Sequence, residues 1–282
     1  MSASAARQRE FPFTQQDFDF LRRLSNQHTG IVVSDDKFDM FYSRLARRVR
    51  ALRLPDFASY CDYLRRGEDP NELTELINAV TTNLTAFFRE NHHFEYLRDH
   101  AIPERMQAAG GERRIRIWSA GCSTGEEPYS LGMTVGEMQS RLAGWQVEIS
   151  ATDIDSDVVA KAKRGVYRQD RVEGLPPERL KRWFLKGRGR QQGMVRVKPE
   201  LRERIDFGLL NLMQDWRREP QDIIFCRNVI IYFDKESKRR LIDRFADTIK
   251  PGGFLFIGHS ESLFQVSERF ELIGKTIYRR VR

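Results

Sequence analysis

The chain is 282 residues long and carries 48 Lys and Arg against 40 Asp and Glu, a formal charge of +8. At roughly 150 residues per domain that length holds one large domain or two modest ones, and a composition that is 40% hydrophobic and 11% aromatic excludes a largely disordered chain. The basic balance favours an acidic partner, whether nucleic acid, an anionic membrane surface or an acidic protein face, without choosing among them.

No apolar run approaches the roughly 18 residues of a membrane span. The start, MSASAARQREFPF, lacks the apolar core of a secretory signal. Cys61, Cys122 and Cys226 are odd in number, with no C-x-x-C pair and no disulfide framework. A soluble protein of the reducing cytoplasm is the expectation.

Residues 1 to about 95 read as a helical domain. Phe38, Phe41, Tyr42, Leu45, Val49 and Leu52 recur at three- and four-residue steps and so share one helix face. Lys37, Arg44, Arg47, Arg48 and Arg50 fall mainly opposite. With Arg53 they make six basic groups against the single acid Asp39, a local charge of +5 over residues 37–53. Such an arginine-rich outer face often does nothing beyond solvation. Pro55 and Asp56 end this helix, FASYCDYLRRG begins another, and NELTELINAVTTNLTAFF is a third amphipathic segment.

From residue 113 the pattern changes. IRIWSAG, VEISATDI, IDFGLL, DIIFCRN and GFLFIGH are short apolar runs that suit strands buried on both faces of a parallel sheet. FELIG and TIYRRV lie too close together for a crossover helix and should form an antiparallel hairpin. Residues 171–204 are rich in Gly, Arg and Lys, and GRGRQQGMVRV within them reads as a small inserted hairpin. The expected fold is α/β: a helical domain over 1–95, then a doubly wound, mostly parallel seven-stranded sheet over 96–282, with a small antiparallel β-subdomain inserted at about 180–205.

The first strand runs into Ser119-Ala120-Gly121-Cys122-Ser123-Thr124-Gly125-Glu126-Glu127. Its glycines allow a sharp turn and a close backbone approach to a ligand. The dinucleotide fingerprint G-x-G-x-x-G and the P-loop are both absent. Glu126 and Glu127 would repel a pyrophosphate and suit a ligand that is neutral or positive there, although ordinary N-terminal helix acids would look the same. Asp153, at the end of the second strand, stands where a carboxylate accepts hydrogen bonds from ribose hydroxyls, and Asp155 reads as a helix cap. Loop and acid together favour an adenosine ligand over a purely structural turn. Cys226, Arg227, Asn228 and Tyr232 follow another strand, at the carboxyl edge where ligands of open α/β sheets sit. For Tyr232 the alternative is a half-buried aromatic with a satisfied hydroxyl.

The blocks TTNLTAFFRENHHF, WSAGCSTGEEPYSL, ATDIDSDVVAKAKRGVY, FCRNVIIYFD and KPGGFLFIGHSESL occur in order and with similar spacing, and over about residues 15–275 the chain resembles the bacterial chemotaxis receptor methyltransferases, the CheR family. The resemblance implies a methyltransferase sheet and an S-adenosylmethionine-dependent protein-glutamate O-methyltransferase. Such an enzyme esterifies glutamate side chains on the cytoplasmic helices of chemoreceptors and leaves S-adenosylhomocysteine. Carried over residue by residue, it implies cofactor contacts at Asn83, Thr85, Arg89, Gly121, Glu127, Asp153, Asn211, Leu212, Arg227 and Asn228, with Arg89 and Tyr232 near the methyl-transfer site. It makes the N-terminal domain the reader of the receptor, where Arg44, Arg47, Arg48, Arg50 and Arg53 would steer acidic helices. In some relatives the inserted hairpin docks a receptor tail peptide by strand addition, which here points to the loop holding Gly187 and Gly189. The expected partner is thus a chemoreceptor and its C-terminal tail, with no nucleic acid; the enzyme is expected to be a cytoplasmic monomer recruited to membrane receptor arrays.

A glutamate side chain, with a pKa of about 4.3, is ionised at neutral pH and needs no general base. His92 and His93 are adjacent on a helix, point in different directions and lack a third ligand at suitable spacing, so a surface or capping role and no metal are expected. Competing readings have weaker support. A nucleic-acid methyltransferase fits the basic pI but lacks an N/D-P-P-Y/F type motif. A nicotinamide-dependent dehydrogenase lacks its fingerprint. A non-catalytic receptor-binding module would not need the full cofactor set.

Overall fold

The computed structural model describes residues 9–282; the first eight residues of the stretch read for a secretory signal lie outside the described residues. Two compact units divide between Thr82 and Asn83. Residues 83–95, read above with the helical domain, therefore fold with the second unit.

In the first unit α1 (Gln15–Thr29) starts at a capping box formed by Thr14 and Asp17, and stops at Gly30 in the left-handed region. Helix α2 (Phe38–Ala51) buries Phe41, Leu45, Ala46 and Val49, the face marked by the three- and four-residue spacing. Asp56 caps α3 (Phe57–Arg66), and Asp69 caps α4 (Pro70–Val80) with Pro70 in its first turn. Phe13, Phe18, Phe41 and Phe57 form their shared core with Leu21, Leu45 and Leu76.

Helix α4 ends at Val80 instead of running on through NLTAFF. Thr81 is extended, and Arg44 Nη1 donates to the carbonyls of Val80 and Thr81 at 2.8 and 2.7 Å. Arg44 thus satisfies the last carbonyls of α4. Arg48 is also drawn inward: it holds the buried Glu72 through Nε at 3.0 Å and Nη2 at 2.5 Å, and reaches Glu75 at 2.9 Å. These two arginines depart from the outer cationic face assigned to them, because acceptors on α4 take up their guanidinium groups. Arg47, Arg50 and Arg53 are exposed, and Arg50 pairs with Glu10 on the surface.

The second unit opens with α5 (His92–Tyr96), which passes through a π-helical turn into α6 (Ile102–Ala108). There follow β1 (Arg114–Ala120), α7 (Glu126–Glu137), β2 (Gln146–Asp153), α8 (Ser156–Arg164) and β3 (Val166–Arg168). Next come α9 (Pro177–Trp183), β4 (Phe184–Lys186), β5 (Met194–Val197), α10 (Pro199–Arg202), β6 (Ile205–Leu209) and β7 (Gln221–Cys226). The chain closes with α11 (Lys235–Thr248), β8 (Ile249–Ile257), β9 (Phe270–Gly274) and β10 (Ile277–Arg280).

The main sheet has the order β6-β2-β1-β7-β8-β10-β9. Its first five strands are parallel, and β10 runs antiparallel to both β8 and β9. Ile115, Ile117 and Trp118 on β1, and Ile223, Ile224 and Phe225 on β7, are fully buried, which is why these strands read as continuous apolar runs. Since β1 leads outward to β2 while β7 lies on its other flank, the carboxyl ends of β1 and β7 form the topological switch point of the sheet.

The inserted sheet is antiparallel, in the order β3-β5-β4. It begins earlier than residue 180, because Val166–Arg168 directly after α8 supplies a third strand. Three residues carry too little periodicity to announce a strand. Among the described residues no helix is long and apolar enough to cross a membrane.

Candidate active site

Strand β1 leaves the sheet through Gly121, at φ +95°, whose N–H and that of Cys122 both reach the Thr152 carbonyl, at 2.8 and 2.9 Å. A Cβ on Gly121 would stand 2.4 Å from Val229 Cγ2, so glycine lets the β1 loop pack directly on the β7 loop. The turn then presents backbone N–H groups to β2. Ser123 donates its N–H to Asp153 Oδ2 at 2.8 Å, and Asp155 donates to Oδ1 at 3.1 Å. Asp153 is only 9% exposed. Burial pushes its pKa up to about 6, even though these N–H groups pull the other way.

Glu126 and Glu127 do not form a bare acidic patch. Glu126 accepts from Arg171 Nη2 and from Thr124 Oγ1, each at 2.6 Å. Glu127 accepts from Ser119 Oγ at 2.7 Å and from Arg227 Nη1 at 3.0 Å. Burial raises the pKa of Glu127, while Arg227 and Ser119 oppose that rise. Each acid is therefore matched by one arginine from a distant part of the chain.

Residues 83–91 lie against this turn. Asn83 Nδ2 donates to Asp155 Oδ2 at 2.8 Å, and Ser123 Oγ donates to the Asn83 carbonyl at 3.3 Å. Asp155 also caps α8, accepting from the N–H groups of Asp157 and Val158, as expected. The Thr85 carbonyl accepts from Arg171 at 2.6 Å. Arg89 Nη1 donates to the Leu84 carbonyl at 2.9 Å, and the Arg89 carbonyl accepts from Arg227 Nη2. Arg227, 7% exposed, is thus a bridge between Glu127 and the segment that carries Arg89.

After β7, Asn228 takes the left-handed conformation at φ +59°. Its N–H and that of Gly258 converge on Glu261 Oε2 at 2.9 and 2.5 Å, while Ile231 N–H reaches Oε1 at 3.2 Å. Tyr232 is half-buried at the end of the one-turn helix Ile230–Tyr232 that follows. After β6, Asn211 Oδ1 accepts from Met213 N–H at 2.9 Å. The carbonyl of the buried Leu212 accepts from Trp216 Nε1 at 3.2 Å and from Arg244 Nη1 at 3.0 Å.

Gly121, Asp153, Asn211 and Asn228 therefore each follow or end a neighbouring strand at the carboxyl edge, and Glu127 begins the helix after β1. The hydrogen bonds bring Asn83, Asp153 and Glu127 to the same turn. Ser123, Arg171, Glu90 and Glu261 also build this region and carried no spacing signal of their own.

His93 departs from its expected surface role: it is fully buried, with Nε2 3.0 Å from the Lys275 carbonyl and 3.1 Å from Thr276 Oγ1. Glu90, His92 and His93 each offer a ligand atom within 4.8 Å of the others, so a third group does lie at hand. The Glu90 carboxylate in that cluster is already faced by the Arg227 guanidinium at 3.4 Å, and no metal is assigned to it.

Residues 83–279 match the model of the CheR methyltransferase SAM-binding domain, and residues 16–81 match that of the CheR methyltransferase all-alpha domain. The chain is 46% identical over 263 residues to the chemotaxis protein methyltransferase of Escherichia coli (strain K12), covering 91% of this chain and 89% of that one. It is 43% identical to the chemotaxis protein methyltransferase of Klebsiella aerogenes, covering 98% and 93%. Identity to chemotaxis protein methyltransferase 2 of Pseudomonas aeruginosa is 44%, covering 95% and 94%.

Proposed function

The chain belongs to the CheR methyltransferase family, and from that premise we propose that it methylates glutamate carboxylates on chemoreceptor cytoplasmic helices. It is an S-adenosylmethionine-dependent methyltransferase of chemotaxis. The observation that carries the site assignment is the pair of buried acids, Glu127 in the helix after β1 and Asp153 at the end of the neighbouring β2, at the carboxyl edge of the sheet.

This donor set fits S-adenosylmethionine. A buried carboxylate with a raised pKa gains from added hydroxyl donors, which suits Asp153 to ribose. Asn211 and Leu212 would flank the adenine. Asn83, Thr85, Arg89, Gly121, Glu127 and Asn228 would hold the remainder, with Arg227 acting through Glu127. The cofactor supplies a methyl group on a sulfonium centre when bound.

The accepting glutamate is ionised at neutral pH, so the site needs no base to activate it. The reaction joins an anion to a cation and loses both charges, so strong solvation of the carboxylate would favour reactants over the transition state. Positioning and exclusion of bulk water are then the main tasks of the chain. Arg89 and Tyr232 orient the carboxylate; the bond from Arg89 Nη1 to the Leu84 carbonyl supports orientation over tight clamping.

The exposed Arg47, Arg50 and Arg53 of the first unit steer the acidic receptor helices, while Arg44 and Arg48 hold α2 against α4. In the inserted sheet β5 is central, which leaves β4 with an unpaired edge in that sheet. Leu185 is exposed on it, and Lys186, Arg188 and Arg190 adjoin it, which supports docking of a receptor tail peptide at the Gly187–Gly189 loop. The enzyme works as a monomer in the cytoplasm, recruited to receptor arrays. Incubation with radiolabelled S-adenosylmethionine and either a receptor fragment or RNA tests the assignment: label belongs on the receptor, and label on RNA alone would overturn it.

A further inference from the structure

Resting on the assignment of Arg89 to the methyl-transfer site, we propose that Glu90 is a positioning residue of the reaction, holding the backbone turn that presents Arg89. Phe88 at φ +53° and Glu90 at φ +56° flank Arg89, both left-handed and neither a glycine. Side chains rarely adopt this conformation, and it persists where the surroundings over-determine it.

Both flanks are held from outside the turn. Phe88 N–H donates to Ser130 Oγ at 2.9 Å, and Arg179 lies over the Phe88 ring at 4.1 Å. Glu90 Oε1 accepts from His259 Nδ1 at 3.0 Å, and Oε2 lies 3.4 Å from Arg227 Nη2. That same Nη2 donates to the Arg89 carbonyl. One guanidinium nitrogen therefore spans the Glu90 carboxylate and the Arg89 backbone, while Nη1 holds Glu127.

Arg227 is the cation of this cluster and His93 is not. The Lys275 carbonyl can only accept, so the His93 proton sits on Nε2, and Nδ1 faces Glu90 Oε2 at 3.6 Å as a lone pair. Burial and the nearby Arg227 push the His93 pKa down to about 3, which keeps the ring neutral. Burial acts to raise the Glu90 pKa, but the His259 hydrogen bond and the Arg227 charge outweigh it and hold the carboxyl below its usual range. Glu90 is thus an ionised and enclosed carboxylate, and its effect on the reaction passes through Arg89.

The test is a double-mutant cycle on purified full-length enzyme, read as initial rates of receptor methylation and as calorimetric binding of S-adenosylhomocysteine. Glu90→Gln keeps the side-chain length and removes the charge; its kcat should fall about tenfold or more, as small misplacements of a reacting group do. S-adenosylhomocysteine affinity should fall no further than it does in Arg89→Ala, because Arg89 is also a cofactor contact. In an Arg89→Ala background, Glu90→Gln should add no further loss, because the effect is transmitted through the missing side chain. Wild-type kcat in Glu90→Gln, or losses that multiply in the double variant, overturns the inference and leaves the Arg89 assignment standing. Full activity of Arg89→Ala overturns both. Should Glu90→Gln fail to fold, His259→Ala, at a site 67% exposed in its side chain, decides the question by the same cycle with a smaller loss.

Discussion

Replacing Asp153 with asparagine removes a buried carboxylate and should separate the stability of the catalytic unit from its ability to bind the cofactor. Burial raises the Asp153 pKa from its ordinary 3.8 to about 6, so the folded state holds this proton more tightly than the unfolded chain. The stabilisation is fully present below the unfolded value and is lost as pH rises through about 6. At about 1.4 kcal/mol per pH unit, the distance between the two values corresponds to about 3 kcal/mol. The asparagine cannot ionise. It also loses an acceptor for either the Ser123 or the Asp155 N–H, which offsets its stability by an amount nearly independent of pH. Urea denaturation of both proteins without cofactor, between about pH 4 and pH 8, isolates the difference. The wild type should lose about 3 kcal/mol relative to Asp153→Asn as pH rises across that window. S-adenosylhomocysteine binding to the wild type should run the opposite way, weakening as pH falls below about 6. Parallel stability curves for the two proteins would refute the buried, proton-holding carboxylate, and S-adenosylhomocysteine affinity unchanged in Asp153→Asn would refute the ribose assignment.

Other outcomes follow from the same geometry. Tyr232→Phe and Arg89→Ala should each reduce turnover about tenfold or more with the thermal transition retained; full activity in both, measured as initial rates, removes them from the mechanism. Arg48→Ala leaves Glu72, whose side chain is 1% exposed, without its arginine, and should cost the first unit about 3–5 kcal/mol in denaturant titration. Reversing the charge of Arg47 and Arg50 should instead leave the fold intact, raise KM for receptor and blunt its salt dependence, with S-adenosylhomocysteine affinity unchanged. A Cβ on Gly187 would meet the Gln191 carbonyl oxygen at 2.0 Å, so Gly187→Ala should abolish calorimetric binding of receptor tail peptides and spare cofactor binding.

What was legible in the sequence followed from local rules. Strands β1 and β7 are buried on both faces, so their apolar runs are continuous, and FELIG and TIYRRV are too close for anything but an antiparallel pair. The buried face of α2 and the cap at Asp155 are set by spacing and side-chain chemistry within one turn of helix. Strand β3 was missed because three residues are too few to show a period; the side-chain misreadings involve partners far along the chain. Arg44 and Arg48 sit on the outward side of a helical pattern, yet their acceptors on α4 lie 36 and 24 residues away. The arginines that pair with Glu126 and Glu127 could not be read beside them, because Arg171 and Arg227 stand 45 and 100 residues downstream. His93 reads as polar and is fully buried because Lys275, across the sheet hairpin, offers its carbonyl. The resemblance to a family supplied candidate site residues that spacing alone did not, and it did not reveal the left-handed turn at Phe88–Glu90.

The proposed reaction leaves a methyl ester on receptor glutamates. Mass spectrometry of a receptor cytoplasmic fragment, after incubation with S-adenosylmethionine and either the wild type or Arg89→Ala, reads that product on the residue that carries it. Methyl increments should appear on glutamate side chains, be removed by mild base and be strongly reduced with the variant. Base-stable methylation, or increments on lysine, arginine or a chain terminus, would contradict that reaction.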